Sequence, residues 1–215
     1  MAMPFKSLLL AGTVALLTIG CDVHPQFKLT PVKESEQSHF VLEDHRPLAE
    51  RQSEILSLMV TNPAYGIARM GDDRTVPDRM AYLKAFLGNE VGAKLEGKTV
   101  LVKSFAIHRN NQGRMRGTNP SKSGLLTAAI SNALEEKAAP TQPGGFTEAE
   151  NPDGFNVAVI DLLVTVDGKD YRARVVKPAP GTVVRFNGDV EIWDKVVASA
   201  MEEVVVQLSG KLKQG

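Results

Sequence analysis

The segment 157–176 constrains the fold of this chain more than any other. Two runs rich in β-formers, Val157 to Val166 and Lys169 to Val176, flank Asp167-Gly168. An Asp-Gly pair supplies the two left-handed residues that a type I′ turn needs, and the twist of that turn matches the twist of paired strands. A two-residue turn also fixes the register. Val166 should oppose Lys169, Val164 Tyr171, Leu162 Ala173 and Ile160 Val175. The other face should pair Asp161 with Arg174, Leu163 with Arg172 and Thr165 with Asp170. Opposite charges at Asp161 and Arg174 favour this alignment. A slip of one residue would turn both arginines into the apolar face. The chain is therefore committed to an antiparallel sheet with one face that must be covered.

The neighbouring segments say what covers it. Asp189 reads as the N-cap of a helix with Glu191 in its positive first turn. Trp193, Val196, Val197, Ala200, Met201, Val204 and Leu208 form its stripe, and Gly210 is the expected stop. Residues 76–96 predict a second amphipathic helix, capped by Thr75, with Met80, Leu83, Leu87, Val91 and Leu95 inward and Gly97 beyond its end. Thr99 to His108 is apolar on both faces, as a buried central strand would be. Residues 48–60 place Leu48, Ile55, Leu58 and Met59 near one helical face, and 61–75 then reads as a loop around Asn62-Pro63, Gly66 and Gly71. A polar loop over 109–117, a helix from Ser121 or Ser123 to about Ala138, a long exposed loop over 139–154 and a short strand from Thr182 to Phe186 complete the pattern. The expected class is α+β: a small, mainly antiparallel sheet with helices packed on one face, plus an N-terminal helical pair.

The other end of the chain carries an address. After Lys6, Leu8 to Ile19 is a charge-free apolar run of 12 residues. A bilayer span needs roughly 20, so the run fits the hydrophobic region of a signal peptide. It ends in Leu17-Thr18-Ile19-Gly20-Cys21, and Cys21 is the single cysteine. One cysteine excludes a disulfide framework. Residues 1–20 are then the signal peptide and 48–213 the folded domain. Residues 21–47, with Pro25, Pro31 and Pro47, form a flexible tether reaching about 30 Å. Removing 20 residues from 215 leaves 195, enough for one domain with a real core.

Composition excludes further classes. Apolar residues make up 43% of the chain, too many for whole-chain disorder. The 25 basic and 25 acidic residues cancel, which argues against a general nucleic-acid binder. The neutrality hides two opposed segments. Gly97 to Leu134 carries Lys98, Lys103, Arg109, Arg114, Arg116 and Lys122 and no acid, for +6; Glu135 to Asp170 carries eight acids against Lys137 and Lys169, for −6. Either Arg109, Arg114, Arg116 and Lys122 contact an anion, such as a phospholipid headgroup or an acidic partner surface, or the two segments neutralise one another across the fold.

Catalytic and metal patterns are wanting. His24, His39 and His45 fall in the expected tether without metal-ligand spacing, and His108 ends a strand as a satisfied polar residue. Gly113 to Ser123 superficially looks like a phosphate loop but has Ser121 where the glycine before Lys122 should be. Glu135-Glu136 and Glu202-Glu203 lie on helix surfaces. No catalytic residue, metal ligand or cofactor site is assigned.

Leu17 to Cys21 resembles the lipobox of bacterial lipoproteins, with Thr18 where leucine is usual. The resemblance implies diacylglycerol and an N-acyl chain on Cys21 as the only non-protein groups, and a lipid-anchored protein facing the periplasm. Two or more acyl chains anchor stably where one does not. Asp22 resembles the retention signal for the inner membrane, with inner and outer membrane both left open. The block from Thr99 to Val206, with its strand, helix LLTAAISNALEE, hairpin and final helix VVASAMEEVVVQL, resembles the YajG-type lipoproteins and the auxiliary lipoproteins of ABC-type lipid-transport systems. That implies a non-enzymatic envelope component that docks on a partner protein or handles lipid. Three functions follow in order: an accessory component of an envelope transport or secretion assembly, a lipid-binding or transfer protein, and a periplasmic hydrolase with a site around His108 and Asp161.

Overall fold

The computed structural model describes residues 26–33, 39–59, 62–110, 143–147, 149–151, 156–179 and 190–215. Among these residues eight strands and two helices follow one another: β1 (Phe27–Lys28), β2 (Val41–Asp44), β3 (Glu54–Met59), β4 (Asn62–Met70), β5 (Thr75–Val76), α1 (Arg79–Leu95), β6 (Thr99–Asn110), β7 (Asn156–Val166), β8 (Lys169–Ala179) and α2 (Val190–Gln214). Short 3-10 turns cover Leu48–Arg51 and Asp72–Arg74. The main sheet runs β3-β4-β6-β7-β8. The class is α+β.

The hairpin folds in the expected register at all seven positions, from Val166 opposite Lys169 to Ile160 opposite Val175. Asp167 and Gly168 take φ values of 51° and 76°, the left-handed pair the turn demands. Ala158, Ile160, Leu162, Val164 and Val166 of β7 join Ala173 and Val175 of β8 in one core. Leu83, Leu87, Val91 and Leu95 of α1 and Trp193 to Leu212 of α2 close the same core, so both helices cover one face of the sheet. β6 is central: β7 pairs along one edge, while β2 (parallel) and β4 (antiparallel) share the other.

Several expectations are corrected. The expected tether is folded over much of its length. Phe27 and Lys28 pair in parallel with Thr75 and Val76, and Val41 to Asp44 pair with Thr99 to Val102. Phe27, Leu29 and Phe40 are buried. Isolated apolar residues in two- and four-residue strands show no periodicity, and only distant partners fix them. The helical pair is likewise a single helix, α1. Residues 48–59 form a 3-10 turn and β3, and the expected loop 61–75 contains β4, because Glu54 and Ile55 pair with Arg69 and Ala68. Non-local pairing overrides a weak local pattern. The cap of α1 is Asp78, whose carboxylate accepts from the Met80 and Ala81 N–H groups at 2.8 and 3.1 Å, while Thr75 lies buried in β5.

Two further boundaries move. α2 runs through Gly210 to Gln214. Leu212 continues the buried stripe, and Lys213 ties the last turn to Glu90 of α1 at 2.8 Å. Within the expected exposed loop 139–154, Gly144, Gly145 and Asn151 are buried against the sheet face opposite the helices. The expected helix to Ala138 and the strand from Thr182 to Phe186 lie outside the described residues.

Candidate functional site

Three polar constellations occur among the described residues, all beside β6. The first fills a gap in the sheet. β2 reaches β6 only as far as Val102 and β4 begins only at Ile107, so 103–106 have no strand on that edge among the described residues. A buried backbone group without a partner costs free energy comparable to a lost hydrogen bond. Side chains supply the partners. Glu50 accepts from the Phe105 N–H and the Ser104 hydroxyl, both at 2.9 Å, and Arg79 donates to the Phe105 carbonyl at 2.7 Å. Arg79 also donates to the Glu50 carbonyl at 2.7 Å and to Asp72 at 2.6 Å. Arg46 bridges Asp72 and Asp44 through four bonds of 2.8–3.1 Å.

Arg79 and Arg46 are almost wholly buried. Burial pushes the Arg79 guanidinium down, opposed by Asp72, whereas Asp44 and Asp72 outweigh burial at Arg46 and raise it. Burial works to raise Asp72, but the two guanidiniums hold it below the ordinary carboxylate range. The two guanidiniums are paired with Asp44 and Asp72, and the Glu50 carboxylate is held by the Phe105 N–H and the Ser104 hydroxyl. The cluster is a buried brace that stands in for a missing stretch of strand.

The second constellation lies on the sheet face opposite the helices, against residues 143–147 and 149–151. His108 is 3% exposed, and neither ring nitrogen has a hydrogen-bond partner among the described residues. Gly144 packs on it so closely that a Cβ at position 144 would sit 2.7 Å from the His108 Cβ. Burial, helped by the charges of Arg69 and Arg79, pushes the imidazole down to about 4. The segment is held by Asn110, which donates to the Gly144 carbonyl at 3.0 Å, and by Arg174, which donates to the Gly145 carbonyl at 2.6 Å and pairs with Glu150. Among the described residues His108 is thus a buried histidine without a partner, not the satisfied strand-end residue expected. Asp161 is bonded to Arg172 at 3.2 Å, with Arg174 at 3.6 Å, so His108 and Asp161 do not hydrogen-bond to each other.

The third is Arg109. It belongs to β6 rather than to a loop, and it points to the helix face. Its cross-strand neighbours are Ala68 and Ala158. Its guanidinium lies over the Trp193 ring of α2, 5.3 Å from the centroid. Burial pushes its pKa down. Arg114, Arg116, Lys122 and Cys21, with His24, lie outside the described residues. One ion pair joins the basic and acidic segments among the described residues, Lys98 to Asp167 at 2.8 Å. The other described acids of that segment turn to partners such as Arg172, Arg174, Thr147 and Thr165.

His39 is exposed, and His45 meets Glu43 at 2.9 Å. Among the described residues no group of three or more His, Cys, Asp or Glu could hold a metal ion, and no helix is long and apolar enough to cross a membrane. The brace residues Glu50, Asp72 and Arg79 escaped the sequence reading because nothing local marks a charged residue whose partner is a backbone group 26 or 55 positions away. No family model matches the chain, and neither a curated protein nor a solved structure is significantly similar to it.

Proposed function

We propose that the chain is a bacterial envelope lipoprotein, anchored through lipids on Cys21, that serves as a non-enzymatic accessory component of an envelope transport or secretion assembly. The observation that carries this reading is the apolar run closed by Cys21, with a folded domain starting six residues later at Phe27. Six residues span at most about 20 Å. The domain would therefore ride at the membrane surface, shorter-leashed than a free tether would allow. A role in binding rather than turnover is supported by the brace, whose Arg79 and Glu50 side chains are engaged in bonds to the β6 backbone.

Crosslinking in intact cells, followed by identification of the captured protein, tests the reading. A defined envelope partner is expected with the natural chain. Capture should fall when Cys21→Ser releases the protein from the membrane fraction. A released Cys21→Ser form that keeps every partner would overturn the role of the anchor.

A further inference from the structure

We infer that the guanidinium of Arg109, laid over Trp193, is the binding point for a phosphate-bearing ligand. Two sources share that chemistry, an anionic lipid headgroup and a free phosphate ester. The inference stands independently of the anchor on Cys21.

Arg109 differs from the other described arginines. Arg46, Arg51, Arg69, Arg74, Arg79, Arg172 and Arg174 each pair with a carboxylate. Among the described residues Arg109 meets none, and its partner is the indole of Trp193. Yet Arg109 is half-buried, and burial pushes its pKa down, so its charge is poorly solvated where it stands. A guanidinium remains protonated at neutral pH all the same. A half-buried cation without a counter-ion is costly, and an anion delivered to it recovers that cost.

The surroundings suit a planar, bidentate contact. Arg109 of β6 stands between Ala68 and Ala158, two small neighbours that carry no charge of their own. The Trp193 ring, 5.3 Å from the guanidinium, restricts it and lowers the entropy lost when two parallel N–H groups grip one anion. Of the two acids beside Trp193 in sequence, Glu191 is occupied by Lys195 at 2.8 Å, and Asp194 follows the indole directly without an ion pair to Arg109 among the described residues. From Gly97 to Leu134 the chain has no acid, so the strand feeding the site carries only positive charge. Such a field favours a multiply charged oxyanion over chloride.

Trp193 is the single tryptophan, so its emission reports on this site alone. The full-length protein would be titrated with inorganic phosphate, with sodium chloride at matched ionic strength, and with vesicles of phosphatidylglycerol or phosphatidylcholine. A saturable change of Trp193 emission is expected with phosphate or with phosphatidylglycerol, and not with chloride or phosphatidylcholine. Saturation by phosphate alone, with no gain from vesicles, identifies a free phosphate ester. Saturation at far lower phosphate content on phosphatidylglycerol vesicles identifies a headgroup. Arg109→Gln should weaken either response by about tenfold or more, and Arg109→Lys by less, since lysine keeps the charge but not the fork. Circular dichroism checks that both variants fold; if Arg109→Gln does not, the chloride comparison on the natural chain decides. An equal response to chloride, no response to any probe, or an unchanged titration in folded Arg109→Gln overturns the inference.

Discussion

Arg79 donates to the carbonyl oxygen of Phe105 at 2.7 Å, within the stretch of β6 that neither β2 nor β4 reaches. A side chain from the first turn of α1 thus completes a sheet where a strand is missing, and Glu50 does the same for the Phe105 N–H. This relationship turns the most charged part of the interior into a structural device.

Removing that device should be severe. Arg79→Met leaves Asp72 short of a partner and the carbonyls of Phe105 and Glu50 unpaired in the interior. Breaking a buried ion pair from one side costs about 3–5 kcal/mol. Urea denaturation should show that loss, and Arg79→Lys should recover little, because one ammonium cannot reach three acceptors set in a fork. A loss below about 1 kcal/mol for Arg79→Met would contradict the brace.

Stability should fall in mild acid through His108. Its folded pKa of about 4 lies below the usual 6.5, so between those values the unfolded chain takes up a proton that the folded chain refuses. Stability is fully present above 6.5 and is lost progressively down to about 4, by about 3 kcal/mol in all. Asp44 and Asp72, held below the carboxylate range, extend the loss at still lower pH. Urea midpoints at pH 7, 5.5 and 4.5 measure the slope. His108→Leu should flatten it across that window, and an unchanged slope would refute the assignment.

The contact between Gly144 and His108 predicts a difference between two glycines. Gly168→Ala meets open space and costs only the strain of a left-handed residue, about 1 kcal/mol. Gly144→Ala adds to similar strain a Cβ 2.7 Å from His108 and 2.9 Å from Ile67, so it should cost clearly more. Thermal melting of the two variants side by side checks the order.

The hairpin and the α2 stripe were legible because turn chemistry and periodicity are local. Asp167-Gly168 needs no distant partner to set its register. The short strands were not legible for the opposite reason: Phe27 and Phe40 sit in segments that acquire structure only when β5 and β6 arrive beside them. Arg109 stood out in the sequence as part of a basic run, yet its placement over Trp193 depends on α2, 84 residues away. Glu50 and Arg79 gave no sign, since a charge that bonds to backbone leaves no pattern in side-chain order.

Phe27 offers a test of that correction. As a tether residue it could be truncated at no cost. Buried at 4% exposure it should behave as core, and Phe27→Ala should destabilise the fold by about 3–5 kcal/mol. Denaturant unfolding that matches the natural chain would return residues 26–33 to a tether.

The mass of the N-terminal peptide of the protein purified from membranes tests the proposed anchor. A chain that begins at Cys21 and carries a thioether-linked diacylglycerol and an acylated amine is expected. A chain that retains residues 1–20, or that carries an unmodified Cys21 thiol, would contradict it.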